Sequence, residues 1–471
     1  MIGGDLLNPK ADRFFGNLKN KRVAFAGIGV SHADTIRMFA QRGISVIACD
    51  RREHKLFDSA LAAELVSLGV ELRLGEDYLN HSDMDVLFRT PGMPFDVPRL
   101  TELRRAGVIV TSEVEVFLDL CSCTIIGITG SDGKTTTTTL IAEMLRCAGK
   151  TVHLGGNIGR ALLPIIDDIN PDDFAVAELS SFQLMSARTS PDIAVVTNMS
   201  PNHLDVHGTM EEYIAAKSNI FLHQNAFAVT VLNEDNDITR SFKPYTRGEM
   251  RLFSRKGEVS GAWLRDDGMI CYTSISGETH ELFPSADIRL PGVHNVENYL
   301  AAISAVWKLV PPEAMHKVAR EFGGVEHRIE FVRELGGVLW YNDSIATSPT
   351  RSVAGLRSFG QKLVMIAGGY DKQIPYEPLA PELVEYVKIL ILMGATAEKI
   401  ESALKGFTGY NGTPEIVRAD SMEDAVAKAH ELACHGDIVT LSPASASFDM
   451  YANFEVRGRH FKELVMAIDD N

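Results

Sequence analysis

The sequence predicts an α/β protein built on parallel sheets and divided into more than one domain. Three observations predict this. At 471 residues the chain exceeds what one hydrophobic core organises, so two to four domains are expected. Short apolar or β-branched runs alternate with amphipathic helical stretches in three successive blocks, the pattern of strand–helix–strand units. A glycine-rich turn, Gly130-Ser131-Asp132-Gly133-Lys134-Thr135, sits between one such strand and the helix after it.

In the first block, residues 22–26 read as a strand ending in Gly27-Ile28-Gly29. A helical pattern follows through Met38 and Phe39 and closes at Gly43. Residues 44–49 read as a second strand ending at Asp50, with further strands at 86–88 and 108–111. The second block opens with a strand at 124–128. Its helix, 135–148, carries Leu140, Ile141, Met144 and Leu145 on one stripe and stops at Gly149. Strands are expected at 174–177 and 193–197. The many short polar turns of 248–284 read as a small antiparallel excursion, and a helix over 298–309 is broken by Pro311-Pro312. After Phe322-Gly323-Gly324 a third block supplies strands at 338–341, 363–367, 389–393 and 438–441.

Composition removes several function classes. With 46 basic against 62 acidic side chains the formal net charge is -16, which argues against general nucleic-acid binding. No apolar run is long enough to span a bilayer, and residues 1–10 lack the basic-then-apolar pattern of a secretory leader. The expectation is therefore a protein without membrane insertion, resident in the cytoplasm. Six cysteines are no disulfide framework for this length, and the C-x-C pair Cys121 and Cys123 is no zinc spacing by itself; buried or idle thiols are expected.

The chemistry concentrates at strand ends. In Gly127-Ile128-Thr129-Gly130-Ser131-Asp132-Gly133-Lys134-Thr135, small residues let the backbone wrap phosphate oxygens, and the following helix presents N–H groups to the anion. Lys134 adds a cation and the Thr135 hydroxyl a magnesium ligand. Ile128 stands where the strict phosphate-loop pattern has glycine, so this is a shortened G-x-x-G-K-T loop. The strand at 174–177 delivers Glu178, followed by Leu179-Ser180-Ser181-Phe182-Gln183, to the end of a parallel sheet where ligands bind. It reads either as a magnesium ligand or as a strand-end acid facing water. Asn198 to Gly208 contains His203 and His207, four apart, either ligands or polar loop histidines. Lys217, in Tyr213-Ile214-Ala215-Ala216-Lys217, reads by itself as an ordinary helix lysine. Lys372 reads by itself as a solvated loop lysine. Gly27-Ile28-Gly29 with Asp50 is an incomplete dinucleotide fingerprint, because His32 replaces its third glycine.

Together these segments resemble the Mur ligases, the family that builds the peptide stem of peptidoglycan. The G-x-x-G-K-T loop, the Glu178 to Gln183 run, Asn202-His203-Leu204-Asp205-Val206-His207-Gly208, Tyr213 to Lys217, Gly292 to Asn298 and His327-Arg328 carry the resemblance. Motifs recur from Gly27 to Gly458, most closely matching the branch that adds D-glutamate to UDP-N-acetylmuramoyl-L-alanine. The resemblance implies three domains. A Rossmann-like domain over 1–114 would bind the UDP substrate, a P-loop ATPase-like domain over 115–324 would bind ATP, and a Rossmann-like domain over 325–471 would bind the amino acid. It implies ATP, two magnesium ions and an acyl-phosphate intermediate. It also implies a monomer.

By motif, the resemblance assigns ATP to Gly130, Ser131, Asp132, Gly133, Lys134, Thr135, Thr136, Asn295, Asn298, His327, Arg328 and Asp343. Catalytic roles go to Lys134, Glu178, His203 and Lys217, with Thr135, Glu178, His203 and Lys217 around the metals and Lys217 as a carbamylated lysine. The UDP substrate would meet Gly29, Val30, Ser31, Asp50, Arg51, Thr90, Pro91, Gly92, Asn157, Ser180, Gln183 and His203. D-glutamate would meet Thr347, Lys372, Ser447, Phe448 and Phe454. Two positions depart from the D-glutamate branch: Asp132 stands where many members have Asn, and Ile345 where many have Lys. Another Mur ligase, or an amino-acid ligase of the folylpolyglutamate-synthase kind, is the alternative expectation. A nicotinamide oxidoreductase built on 27–50 would leave Lys134 and Glu178 without a role, and a non-catalytic nucleotide-binding regulator predicts ATP binding without amino-acid-dependent phosphate release.

Overall fold

The computed structural model describes residues 8–53, 55, 57–201 and 207–469. The chain forms two compact units, Met1–Asp287 with Glu297–Val318, and Ile288–Val296 with Ala319–Asn471.

The first unit holds two sheets. One has five parallel strands, β1 (Arg22–Ala26), β2 (Ser45–Asp50), β3 (Glu71–Leu74), β4 (Val86–Arg89) and β5 (Ile109–Thr111), in the order β3-β2-β1-β4-β5. The chain reverses its direction of winding beside β1, so the turns after β1, β2 and β4 share one edge of the sheet, where ligands of such sheets bind. The core under it is aromatic: Phe25 stacks on Phe88 at 4.7 Å, and Phe39 meets both edge-on.

The other sheet runs β14-β13-β12-β11-β10-β9-β6-β8-β7. Its parallel strands are β6 (Thr124–Thr129), β7 (Val152–Gly156), β8 (Phe174–Glu178), β9 (Ile193–Val196), β10 (Val229–Asn233), β11 (Glu249–Ser254) and β12 (Gly261–Leu264). Among the described residues of this sheet the antiparallel pairings are β12 with β13 (Met269–Thr273) and β13 with β14 (Thr279–Pro284), so the expected antiparallel excursion over 248–284 is narrower than its turn residues suggest. β11 instead extends the parallel ladder through β10, in register from Val229–Glu249 to Asn233–Phe253.

The helix after β6, Lys134–Cys147, opens with five threonines, which are poor helix formers. Two of them bond back along the helix, Thr138 Oγ1 to Lys134 O and Thr139 Oγ1 to Thr135 O, each at 2.8 Å. Its last two turns bury Leu140, Ile141, Met144 and Leu145 completely, as the stripe predicts. The helix expected over 298–309 runs Val293–Val306. It ends early because Lys308 takes a left-handed φ of 72°.

The second unit is one sheet in the order β15-β16-β20-β17-β18-β19. β15 (Glu330–Leu335) is its antiparallel edge. β16 (Val338–Asn342), β17 (Leu363–Gly368), β18 (Val387–Met393), β19 (Glu415–Arg418) and β20 (Ile438–Leu441) are parallel. Apolar clusters cover both faces, one around Trp340 and Phe461 and one around Leu363 and Leu390. Among the described residues no helix is long and apolar enough to cross a membrane.

Candidate active site

The phosphate-type turn is held rigid from behind. Gly130 and Gly133 sit at φ 151° and 76°. A Cβ on Gly130 would lie 1.9 Å from Thr197 Oγ1, and one on Gly133 2.3 Å from Asn298 Oδ1, so both positions require glycine. Asn198 Oδ1 accepts from Asp132 N at 2.9 Å, and Thr197 Oγ1 donates to Asp132 O at 2.6 Å. Ser131 Oγ donates to Ser200 O and accepts from Ser200 N, both at 2.9 Å, and lies 3.1 Å from the Tyr213 hydroxyl. Lys134 Nζ donates to Ser131 O at 2.8 Å, folded over its own loop, and Asp132 leaves its side chain exposed. Gly133 caps the helix with no side-chain hydrogen bond, so the helix N-terminus faces the turn, the arrangement that suits an anion.

Glu178, the last residue of β8, is buried rather than facing water. Its Oε2 accepts from Thr135 Oγ1 at 2.7 Å and its Oε1 from Asn157 Nδ2 at 2.8 Å. This brings together a carboxylate and a hydroxyl beside the phosphate turn, a hard-oxygen set that fits magnesium.

Lys217 is no solvated helix lysine. It points inward from the helix Met210–Leu222 and is buried. Nζ donates to Gly130 O at 2.8 Å and Thr129 Oγ1 at 3.1 Å and lies 5.0 Å from the Tyr213 ring. Burial, reinforced by the positive charge of Lys134 and opposed by Glu178 and Asp132, pushes its pKa down to about 7. A substantial fraction of this amine is therefore neutral and nucleophilic near neutrality. Lys134, Asn157, Ser180, Tyr213 and Lys217 line one pocket of about 230 Å³. His203 lies outside the described residues. His207 is buried, stacks on Phe182 at 5.1 Å and contacts Ser181 Oγ at 2.8 Å, which makes it part of the packing. Ser180 and Gln183 form a capping box at the start of Ser181–Leu184.

The turn after β1 has a related geometry. Gly27 takes φ 89° against Thr90, and Gly29 caps the helix Val30–Gln41 without a side-chain hydrogen bond. Asp50 Oδ2 accepts from Ile28 N at 2.8 Å and pairs with Arg52 at 2.8 Å. Burial alone would raise Asp50, but the hydrogen bonds from Arg52 and Ile28 outweigh it and hold the carboxyl below its ordinary value. Arg51 turns out to solvent toward Glu76 at 3.5 Å, so Arg52, which the sequence did not single out, is the partner of Asp50. The side chains of Val30 and Ser31 lie outside the described set. Thr90, Pro91 and Gly92 follow β4 on the same sheet edge.

In the second unit, Asp343 is buried, accepts from Ser442 Oγ at 3.0 Å and Ile329 N at 3.3 Å, and is pushed up to about 7 by burial. His327 has φ 65°, is buried, and meets Asn342 Nδ2 at 2.9 Å and Phe454 edge-on at 5.9 Å. Arg328 is half-buried, its charge acting on Asp343. Asn295 donates to Pro291 O at 2.6 Å. Asn298, in the first unit, accepts from Thr137 Oγ1 at 3.2 Å. Lys372 is exposed and reaches Thr347 O at 3.4 Å. Phe448, exposed, meets Tyr370 at 5.8 Å, while Ser447 is buried. Of these, Asp343 follows β16, Lys372 follows β17, and Ser447 and Phe448 follow β20, at one edge of the sheet. Arg457, buried beneath them, donates to Ser344 O, Ser445 O and Ala446 O.

Comparison with known proteins shows the family. The Mur ligase middle domain matches residues 128–306, and the Mur ligase, glutamate ligase domain, matches 327–445. A UDP-N-acetylmuramoylalanine–D-glutamate ligase of Acetivibrio thermocellus is 50% identical over 98% of this chain and 100% of its own length. The chain belongs to the Mur ligase family. A ligase of the same name from Symbiobacterium thermophilum is 50% identical to this Mur ligase, over 95% of this chain and 98% of its own. The solved UDP-N-acetylmuramate-alanine ligase of Thermotoga maritima superposes with a TM-score of 0.56 at 18% identity, over 95% of this chain and 100% of that one. A UDP-N-acetylmuramoyl-L-alanyl-D-glutamate–2,6-diaminopimelate ligase gives 0.55 at 19%, over 94% and 93%. At such identities these two show the Mur ligase fold alone.

Proposed function

We propose that this chain adds D-glutamate to UDP-N-acetylmuramoyl-L-alanine at the expense of ATP, a step of peptidoglycan precursor synthesis. The observation that carries the chemistry is the phosphate turn flanked by two lysines and by the Thr135–Glu178 pair. The full-length likeness to D-glutamate ligases carries the substrates.

The terminal phosphoryl group passes to an oxygen of the substrate carboxylate, and ADP departs. Lys134 and the first helical turn neutralise charge on the transferring group. The amine of D-glutamate then attacks the acyl carbon, phosphate leaves from the tetrahedral intermediate, and the amine loses its proton. Positioning and charge neutralisation supply most of the acceleration. Thr135 and Glu178 fit a magnesium ion, with His203 and a carbamylated Lys217 proposed around a second; magnesium would neutralise phosphate charge there. The partly neutral, buried amine supports the carbamate reading, because carbon dioxide adds to a free amine and not to an ammonium.

We extend the proposal to the remaining assignments. Asn295, Asn298, His327, Arg328 and Asp343 contact the nucleotide. Gly29, Val30, Ser31, Asp50, Arg51, Thr90, Pro91, Gly92, Asn157, Ser180, Gln183 and His203 contact the UDP substrate. Thr347, Lys372, Ser447, Phe448 and Phe454 contact glutamate, with Lys372 pairing a carboxylate. The three sheets support division into domains at 114 and 324. Use of ATP supports a cytoplasmic location, and a monomer completes the reading. The test is phosphate release with UDP-N-acetylmuramoyl-L-alanine, ATP, magnesium and D-glutamate, each omitted in turn. Release is expected only with all four, and incorporation of a different amino acid would move the chain to another branch of the family.

A further inference from the structure

Arg89 ends β4 with its guanidinium completely buried. Nη1 donates to Met93 O at 3.0 Å. Nη2 donates to Phe182 O at 3.0 Å and to Ser186 Oγ at 2.7 Å. All three acceptors are neutral, Nε meets no protein acceptor among the described residues, and Glu115 acts on the charge only at a distance. Burial accordingly depresses its pKa. A desolvated guanidinium without a paired carboxylate is costly, and its three hydrogen bonds offset only part of that cost. Stability is therefore a weak reason for an arginine here.

What the side chain joins gives a stronger one. Met93 N donates to Thr90 O at 3.0 Å, so the bond to Met93 O ties down the whole Thr90-Pro91-Gly92 turn. Phe182 and Ser186 belong to the segment that starts at Ser180 and Gln183, directly after Glu178. One guanidinium thus connects the ligand edge of the five-stranded sheet to the ligand edge of the nine-stranded sheet. We infer that Arg89 is a positioning residue that clamps these two loops in register, so that the UDP-linked substrate held by the first presents its carboxylate at the second. This rests on the substrate reading above.

The experiment compares Arg89→Met and Arg89→Lys with the wild-type chain. Arg89→Met is expected to melt within a few degrees of wild type. Its kcat/KM for UDP-N-acetylmuramoyl-L-alanine should fall about 100-fold, because small misplacements of a reacting group are that costly. The KM for ATP should stay within about twofold, since the phosphate turn is untouched, and Arg89→Lys should recover part of the loss. Hydrogen exchange should show residues 90–93 and 181–186 losing protection together, with 130–135 unchanged. Wild-type kinetics in Arg89→Met, or unchanged exchange in both segments, would overturn the clamp. If Arg89→Met does not fold, Arg89→Lys carries the same readouts. The exchange measurement needs no substrate, so it decides the clamp even if the wild-type chain failed to turn over, a result that would sink only the substrate reading.

Discussion

The turns after β1 and β6 start alike and end differently. Both follow a buried parallel strand, both place a glycine at positive φ (89° at Gly27 and 76° at Gly133), and both open a helix whose glycine cap carries no side-chain bond. Each therefore has the backbone form of an anion site at a helix N-terminus. Their supports differ. The first turn is fixed by Asp50, Arg52 and the ring of His32, whose Nδ1 meets Gly27 O at 2.9 Å. The second has Lys134 folded over it, Lys217 beneath it, and Thr135 with Glu178 beside it. Backbone geometry suits an anion in both, and the second adds Lys134, the buried amine of Lys217 and the hard oxygens of Thr135 and Glu178, groups of the kind phosphoryl transfer needs.

The sharpest break of this comparison is Lys134→Ala. Phosphate release should fall about 1,000-fold, the scale of losing a cation on a transferring phosphoryl group. Binding of UDP-N-acetylmuramoyl-L-alanine, followed by titration calorimetry, should be unchanged. A parallel loss of that binding would mean the two turns do not work separately. Lys217→Ala should cost about 100-fold and be partly restored by short-chain carboxylic acids, which can replace a carbamate's oxygens. Because the amine titrates near 7, its neutral fraction rises between about pH 6 and pH 8. At matched dissolved carbon dioxide, carbon-dioxide-depleted enzyme should regain activity faster at the higher pH. Full activity of Lys217→Ala without added acid would remove the carbamate.

The turns also differ in how legible they were. The second is a contiguous motif, so the sequence showed its glycines, Lys134 and Thr135. Its supports were hidden by distance along the chain: Asn198 and Asp132 are 66 residues apart, Ser131 and Tyr213 82, and Lys217 and Gly130 87. Lys217 looked ordinary because helical spacing does not reveal that the helix turns it inward. At the first turn Asp50 was readable as a strand-end acid, but nothing in Arg51-Arg52 said which arginine folds back. The same logic governs the strands. Buried central strands such as β1 and β20 are mostly apolar, and the structure gives them the bounds expected from the sequence. Four strands left unread, β3, β7, β15 and β19, all lie at sheet edges or carry mostly half-exposed side chains, where the apolar run dissolves. β10 is central and was missed because Thr230 and Asn233 interrupt its pattern.

A smaller effect separates the turns by pH. His32 is buried and desolvated, which pushes its pKa down to about 4 against a single raising bond from Gly27 O. The folded protein therefore holds the ring neutral. A lowered folded pKa means that stability is fully present above the unfolded value, near 6.5, and drains as pH falls toward about 4. The loss is on the order of 3 kcal/mol at most. Thermal melts of the wild type and His32→Gln between these pH values should diverge, with the variant flatter. Equal slopes would show that the first turn is not held by a neutral imidazole.

The mildest test asks whether the first turn contributes binding alone. Asp50→Asn keeps an oxygen for Ile28 N but gives up the charge that anchors Arg52, which is half-exposed, so the lost ion pair is a weak one. The KM for UDP-N-acetylmuramoyl-L-alanine should rise about tenfold while kcat stays within about twofold, the signature of lost uniform binding. The KM for ATP should not move. If instead kcat fell and substrate KM held, Asp50 would be acting on the reacting carboxylate, and the division between a turn that binds and a turn that reacts would have to be redrawn with Asp50 on the reacting side.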